Sequence, residues 1–211
     1  EQYRKSLTAL FEITRPAAVI TYPEFQAEVQ RANVHNQVRS VLVSSQVTPY
    51  GELEESWTDF HGLERSVDDI VLLQHSSGTT GLQKGVALSH RAVFNQLQAY
   101  SAALHLNQDD VIVSWLPLYH DMGLIAGFLM PVLNRIPLAL LSPFDWVRAP
   151  YRLFKAVSDY HGTLSWMPNF AYNFCAAKIR PRDLEGVDLS TWRAVINCSE
   201  PMYWNSHQVF L

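Results

Sequence analysis

The sequence has little that would cross-link a fold, bind a metal at short range or anchor a chain in a bilayer. Cys175 and Cys198 are the only cysteines in 211 residues. They have neither a disulfide-framework nor a metal-ligand spacing, so a reducing compartment is the expectation. The eight histidines are dispersed, with no H-x-x-x-H pair among them. The most apolar run, Leu124 to Leu141, is interrupted by Pro131, Asn134, Arg135 and Pro137, which leaves no stretch long enough for a membrane span. A basic excess is missing too. Sixteen Lys and Arg stand against twenty Asp and Glu, and their scatter argues against nucleic acid or an anionic membrane as a partner. The opening "EQYRKSLTAL" is polar and amphipathic, unlike a signal peptide. No internal repeat or low-complexity segment is visible. What is present is a normal globular balance, 48% hydrophobic and 17% charged, with enough length to bury a core unaided. A soluble, cytoplasmic protein is expected.

Apolar periodicity then orders the chain. Leu7, Leu10, Phe11 and Thr14 recur at helical spacing before Pro16, and "AAVITY" from Ala17 reads as a buried strand. Pro23 opens a helix that places Phe25, Val29 and Ala32 on one face, and "SVLVSS" from Ser40 is the next strand. Gln46 to Val67 is acidic and turn-rich, a solvated connection. After it come "DIVLLQHSS", a glycine-rich loop, "GVALSH", and a long helix that Ser89 can cap. Strand-like "DVIVSWLPL", "IPLALLS", "GTLSWMP" and "WRAVINCSEP" alternate from there with helical "DMGLIAGFLMPVL", "PYRLFKAVSDYH" and "NFAYNFCAAKI". This rhythm predicts an α/β fold, a mostly parallel sheet with crossover helices.

Three stretches have chemistry. In "HSSGTTGLQKG", Ser76, Ser77, Thr79 and Thr80 offer hydroxyls, Gly78, Gly81 and Gly85 admit close backbone approach, and Lys84 adds a point charge. That describes a polyphosphate cradle, with a plain flexible hairpin as the alternative. It is not a Walker loop, because Gln83 precedes Lys84 and Gly85 follows it. In "SWLPLYHDMGL", His120 and Asp121 stand where a strand ends, the edge at which α/β sheets bind ligands. His120 could orient a carboxylate there; alternatively Asp121 caps the next helix and His120 is a half-buried neighbour. In "VINCSEPM", Asn197 and exposed backbone could recognise a flat heterocycle, or Ser199 and Glu200 simply begin a helix. Cys198 reads as packing, with no basic partner near it in sequence. Phe170 and Phe174 fall at helical spacing, which suits core as well as the wall of an apolar tunnel.

In this order and at these separations the three stretches resemble the adenylate-forming superfamily: acyl-CoA synthetases, fatty acyl-AMP ligases and peptide-synthetase adenylation domains. "HSSGTTGLQKG" is similar to that family's phosphate loop, with Gln83 where proline is usual. "WLPLYHDMGLI", "MPNFAY" and "DLSTWRAVINCSEP" are most similar to the fatty acyl-AMP ligase and long-chain acyl branch. The resemblance implies that Ser76, Ser77, Gly78, Thr79, Thr80, Gly81 and Lys84 grip the phosphates of ATP. It implies that His120 lines the meeting point of carboxylate and α-phosphate, with Lys84 and His120 the catalytic pair. Asn197, Cys198, Ser199 and Glu200 would border the adenine, and Asn169, Phe170 and Tyr172 the acyl pocket. The implied reaction joins a fatty acid to AMP with release of pyrophosphate, then hands the acyl group to the thiol of CoA or of an acyl carrier protein.

Several of the family's elements are not in the 211 residues: a Y-G-x-T-E segment that helps hold Mg2+, a T-G-D segment that binds ribose, and a C-terminal domain with a catalytic lysine. The expectation is that residues 1–211 are a fragment of the AMP-binding N-terminal domain, without the C-terminal domain, inactive alone, and with the magnesium ligand outside the chain. A non-catalytic acyl- or nucleotide-binding module of the same fold is the alternative. A P-loop phosphotransferase fails on the spacing of the loop.

Overall fold

The computed structural model describes residues 1–47, 64–75 and 85–211. Contacts divide the chain into two compact units, Glu1–Glu64 and Arg65–Leu211.

In the first unit, α1 (Gln2–Thr14) ends at Arg15, whose left-handed backbone lets its N–H close on the Phe11 carbonyl. Strand β1 (Ala18–Thr21) leads through a 3-10 turn (Pro23–Phe25) into α2 (Gln26–Ala32) and on to β2 (Ser40–Val43), which pairs with β1 in parallel. Phe11, Val29, Ala32 and Val38 form its core. Phe25 does not share the buried face expected of it and is 49% exposed. It sits on the tighter 3-10 turn, so the 3.6-residue period begins only after it.

In the second unit, β3 (Ile70–His75) and β4 (Gly85–Ser89) pair antiparallel. Ser89 caps α3 (His90–Ala103), its hydroxyl accepting from the Ala92 N–H. The main sheet follows: β5 (Ile112–Ser114), β6 (Leu138–Leu140), β7 (Leu164–Pro168) and β8 (Ala194–Cys198), in spatial order β6-β5-β7-β8 and parallel throughout. Between β5 and β6 a helix runs as α4 (Asp121–Leu124), a π-helical segment (Ile125–Leu129) and α5 (Met130–Asn134). Two short helices, α6 (Pro143–Arg148) and α7 (Tyr151–Asp159), precede β7, α8 (Asn169–Lys178) follows it, and α9 (Trp204–Phe210) follows β8. Helix α6 has no counterpart in the sequence reading. Ile112, Val113, Leu164, Trp166 and Met167 are wholly buried, as expected of strands covered on both faces.

The two ends of this sheet differ in kind. Just before β5, β7 and β8 stand Asp110, Thr163 and Arg193. The Arg193 guanidinium bonds both Asp110 oxygens at 2.8 Å, and the Thr163 hydroxyl donates to Asp110 at 2.7 Å. This network, with Asp110 buried and Arg193 reaching it from the surface, ties three strands together at their amino ends. The carboxyl ends carry the candidate site.

Candidate active site

Strand β5 delivers His120. After Ser114 the chain turns, the His120 N–H donates to the Pro117 carbonyl at 3.1 Å, and His120 becomes the cap of α4. Its Nδ1 lies 2.8 Å from Asp121 Oδ1 and 3.3 Å from the Met122 nitrogen. Nδ1 cannot donate to the first and accept from the second at once. The Met122 N–H already has Asp121 Oδ1 at 2.8 Å, so the short contact to the carboxylate prevails and Nδ1 carries the hydrogen. Nε2 is then left for whatever enters. Of the alternatives for "HDMGL", the capping one is realised: Asp121 accepts the Met122 N–H at the start of α4.

Two glycines make this approach possible. A Cβ on Gly123 would stand 2.3 Å from the Pro117 carbonyl oxygen and 2.9 Å from that of Leu116, and one on Gly127 would stand 2.7 Å from Ser114 Oγ. The helix therefore lies directly on the backbone leaving β5, and a π-helical turn follows at once, a feature often found beside functional sites.

Strand β7 delivers Phe170 through Pro168, and β8 delivers Ser199 and Glu200. Ser199 has φ 71°, a left-handed conformation unusual outside glycine and asparagine, and it turns the chain sharply as the strand ends. These strand ends meet at a cavity of about 340 Å³ lined by Trp115, Leu116, Pro117, His120, Pro168, Phe170, Ser199 and Glu200. One of its walls is aromatic. Trp115 stacks on Trp146 with ring centres 3.6 Å apart, and Phe170 meets both edge-to-face. A second hollow of about 230 Å³ is lined by Gln96, Tyr100, Asp121, Met122, Ile125 and Ala126. The His120–Asp121 contact joins the walls of the two.

Of the residues singled out from the sequence, the larger cavity brings together His120, Phe170, Ser199 and Glu200. Asn169 and Tyr172 do not line it. The Asn169 side chain accepts from the Tyr203 N–H at 3.0 Å and donates to Ser206 Oγ at 3.0 Å. Tyr172 is 2% exposed, with its ring against Phe210, and burial pushes its phenol up to about 12. Asn197 pairs with Met167 inside the ladder. Cys198 is buried, and that burial raises its thiol, which leaves no thiolate for nucleophilic work. Ser76, Ser77, Gly78, Thr79, Thr80, Gly81 and Lys84 lie outside the described residues. The sequence reading assigned nothing to Trp115, Trp146, Gly123 or Gly127. The four-residue spacing of the glycines on an apolar helix was the one available signal.

Among the described residues, no group of His, Cys, Asp and Glu is placed to hold a metal ion, and no helix is long and apolar enough to cross a membrane.

Parallel strands that bring polar side chains to a largely apolar cavity at their carboxyl ends are the arrangement in which α/β proteins commonly bind small molecules. A family model for AMP-binding enzymes matches residues 3–207, and the chain belongs to that family. It is 32% identical over 167 residues to the medium-chain-fatty-acid–[acyl-carrier-protein] ligase TtuA of Teredinibacter turnerae, covering 72% of this chain and 26% of that protein. It is 32% identical over 203 residues to the probable long-chain-fatty-acid–AMP ligase FadD30 of Mycobacterium tuberculosis, covering 92% of this chain and 34% of that protein. A solved fatty acyl-adenylate ligase from L. pneumophila, in complex with acyl adenylate and pyrophosphate, superposes with a TM-score of 0.78 at 28% identity, over 98% of this chain and 35% of that one. The fold is that of the N-terminal domains of adenylate-forming enzymes. The chain spans about a quarter to a third of the length of these proteins.

Proposed function

We propose that the protein containing this chain activates a fatty acid with ATP, forming acyl-AMP and pyrophosphate, and passes the acyl group to a thiol of CoA or of a carrier protein. The observation that supports this most is the meeting of His120, Phe170, Ser199 and Glu200, from three strand ends, at one cavity. Its wall from Trp115 to Pro117, with Pro168 and Phe170, suits a hydrocarbon. Its polar rim, Ser199 and Glu200, is the side given to the nucleotide. His120 stands between, with Nε2 free to orient the reacting groups.

In the first step a carboxylate oxygen attacks the α-phosphorus, and pyrophosphate leaves with the bonding pair; no proton has to move. In the second, a thiolate attacks the acyl carbonyl and AMP leaves. Here the protein contributes positioning and charge. Lys84, in the stretch similar to the family's phosphate loop, supplies the cationic part. Magnesium would neutralise phosphate charge when bound; the described residues offer no cluster for it.

The test is ATP–pyrophosphate exchange by the protein from the full reading frame, with and without dodecanoate. Acid-dependent exchange is expected. ATP or dodecanoate binding without exchange would favour a non-catalytic binding module of the same fold.

A further inference from the structure

Glu200 lies on the cavity wall, yet its carboxylate has a partner within the fold. Its Oε1 accepts the backbone N–H of Phe170, the second residue of α8, one of the orphan donors at the start of any helix. The end of the connection from β8 and the first turn of α9 make three more bonds to the same helix: Tyr203 N–H to Asn169, and from α9 the Ser206 hydroxyl accepting from Asn169 and, at 2.8 Å, from Asn173. Residues 200–206 therefore clamp the first turn and a half of α8. The side chain set by that clamp is Phe170, 51% exposed and edge-on to Trp115 and Trp146.

We infer that Glu200 is a positioning residue that holds Phe170 against the tryptophan pair, so that the segment bordering the nucleotide sets the shape of the acyl side. The inference rests on the functional reading above and changes one part of it: Glu200 acts through α8 and not by contact with adenine. Its negative charge is offset by the positive end of the helix, which also lessens its repulsion of an incoming carboxylate.

The experiment compares Glu200→Ala, Glu200→Gln, Phe170→Ala and the double variant Glu200→Ala/Phe170→Ala in the full-length protein. Two readouts are followed: hydrogen exchange of the peptide that contains the Phe170 amide, and KM for dodecanoate and for ATP. Glu200→Ala is expected to speed exchange at the start of α8 and to raise KM for the acid about tenfold with KM for ATP changed less than about twofold. Glu200→Gln, which keeps an acceptor oxygen, should restore protection and most of the acid KM. In the Phe170→Ala background, loss of Glu200 should add little further.

A rise in KM for ATP with the acid unaffected would overturn the inference, as would Gln behaving like Ala, or full additivity in the double variant. A wild-type protein with no acid-dependent turnover would remove the functional reading. In that case exchange alone decides, and unchanged protection in Glu200→Ala would dismiss the clamp as well.

Discussion

Asp110 and Arg193, far apart in the chain, meet in two parallel hydrogen bonds of 2.8 Å at the amino ends of β5 and β8. Asp110 is 2% exposed. Burial, the largest single influence, favours its neutral form. The bonds from Arg193, from the Thr163 hydroxyl and from the Asn107 N–H outweigh burial and hold the carboxyl at about 2. Because the folded value lies below the ordinary 3.8, the stabilisation is present above the unfolded value and is lost as pH falls through the folded one. The gap corresponds to about 2 kcal/mol. Urea midpoints should therefore decline between about pH 4 and pH 2 by an amount that Asp110→Asn removes. An equal decline in that variant would assign the acid sensitivity to other carboxylates.

The two helix glycines make an ordered pair. An alanine at Gly123 meets the Pro117 and Leu116 carbonyl oxygens, which cannot move without the strand end moving, whereas one at Gly127 meets the Ser114 hydroxyl, a side-chain atom that can shift at the cost of the bond it accepts from the Leu116 N–H. Gly123→Ala should cost about 2–3 kcal/mol and displace His120, and Gly127→Ala about 1 kcal/mol. Thermal denaturation with pyrophosphate exchange measures both. Equal, small effects would mean that the helix is not pressed on the backbone leaving β5.

What was legible in the sequence was what repeats locally. The apolar runs around Ile112, Leu138, Leu164 and Val195 gave strands, and the intervening amphipathic segments gave helices, because burial on both faces or on one leaves a periodic trace. Helix α6 left none. It has six residues, "PFDWVR", opening on a proline and too short for a period, yet it brings Trp146 to the stack with Trp115. Asn169 and Tyr172 show a second limit. They share one face of α8, which is turned to α9, while Phe170 and Phe174 share another near Trp146. The spacing separates those two faces without saying which of them meets a cavity. The ties of Glu200 to Phe170 and of Asp110 to Arg193 join distant segments, so no local pattern announces them.

Lys84 tests the loop. A single lysine in a glycine-rich segment is expected to add little to folding stability, but a charge on transferring phosphates should be worth roughly 1.5–3 kcal/mol. Lys84→Ala in the full-length protein should therefore lower kcat/KM for ATP about 10- to 150-fold while the thermal midpoint stays put. Unchanged kcat/KM would return the loop to a plain hairpin.

Substrate choice depends on whether the aromatic wall receives a hydrocarbon. Phe170 is the one member of the Trp115–Trp146–Phe170 group that is largely exposed, so removing its ring opens the cavity and leaves the buried tryptophan stack in place. Each methylene buried contributes about 0.8 kcal/mol, about fourfold in kcat/KM, until the chain meets a wall. Wild-type rates of pyrophosphate release should accordingly climb from acetate through octanoate to dodecanoate, with amino acids turned over poorly. In Phe170→Ala the optimum should move to longer chains: hexadecanoate should gain on dodecanoate, and octanoate should lose the contact that rewarded it. Faster turnover of acetate or any amino acid than of dodecanoate would show that the wall is core packing, and an optimum unmoved in Phe170→Ala would place the chain end elsewhere, the 230 Å³ hollow beside Tyr100 being the next candidate.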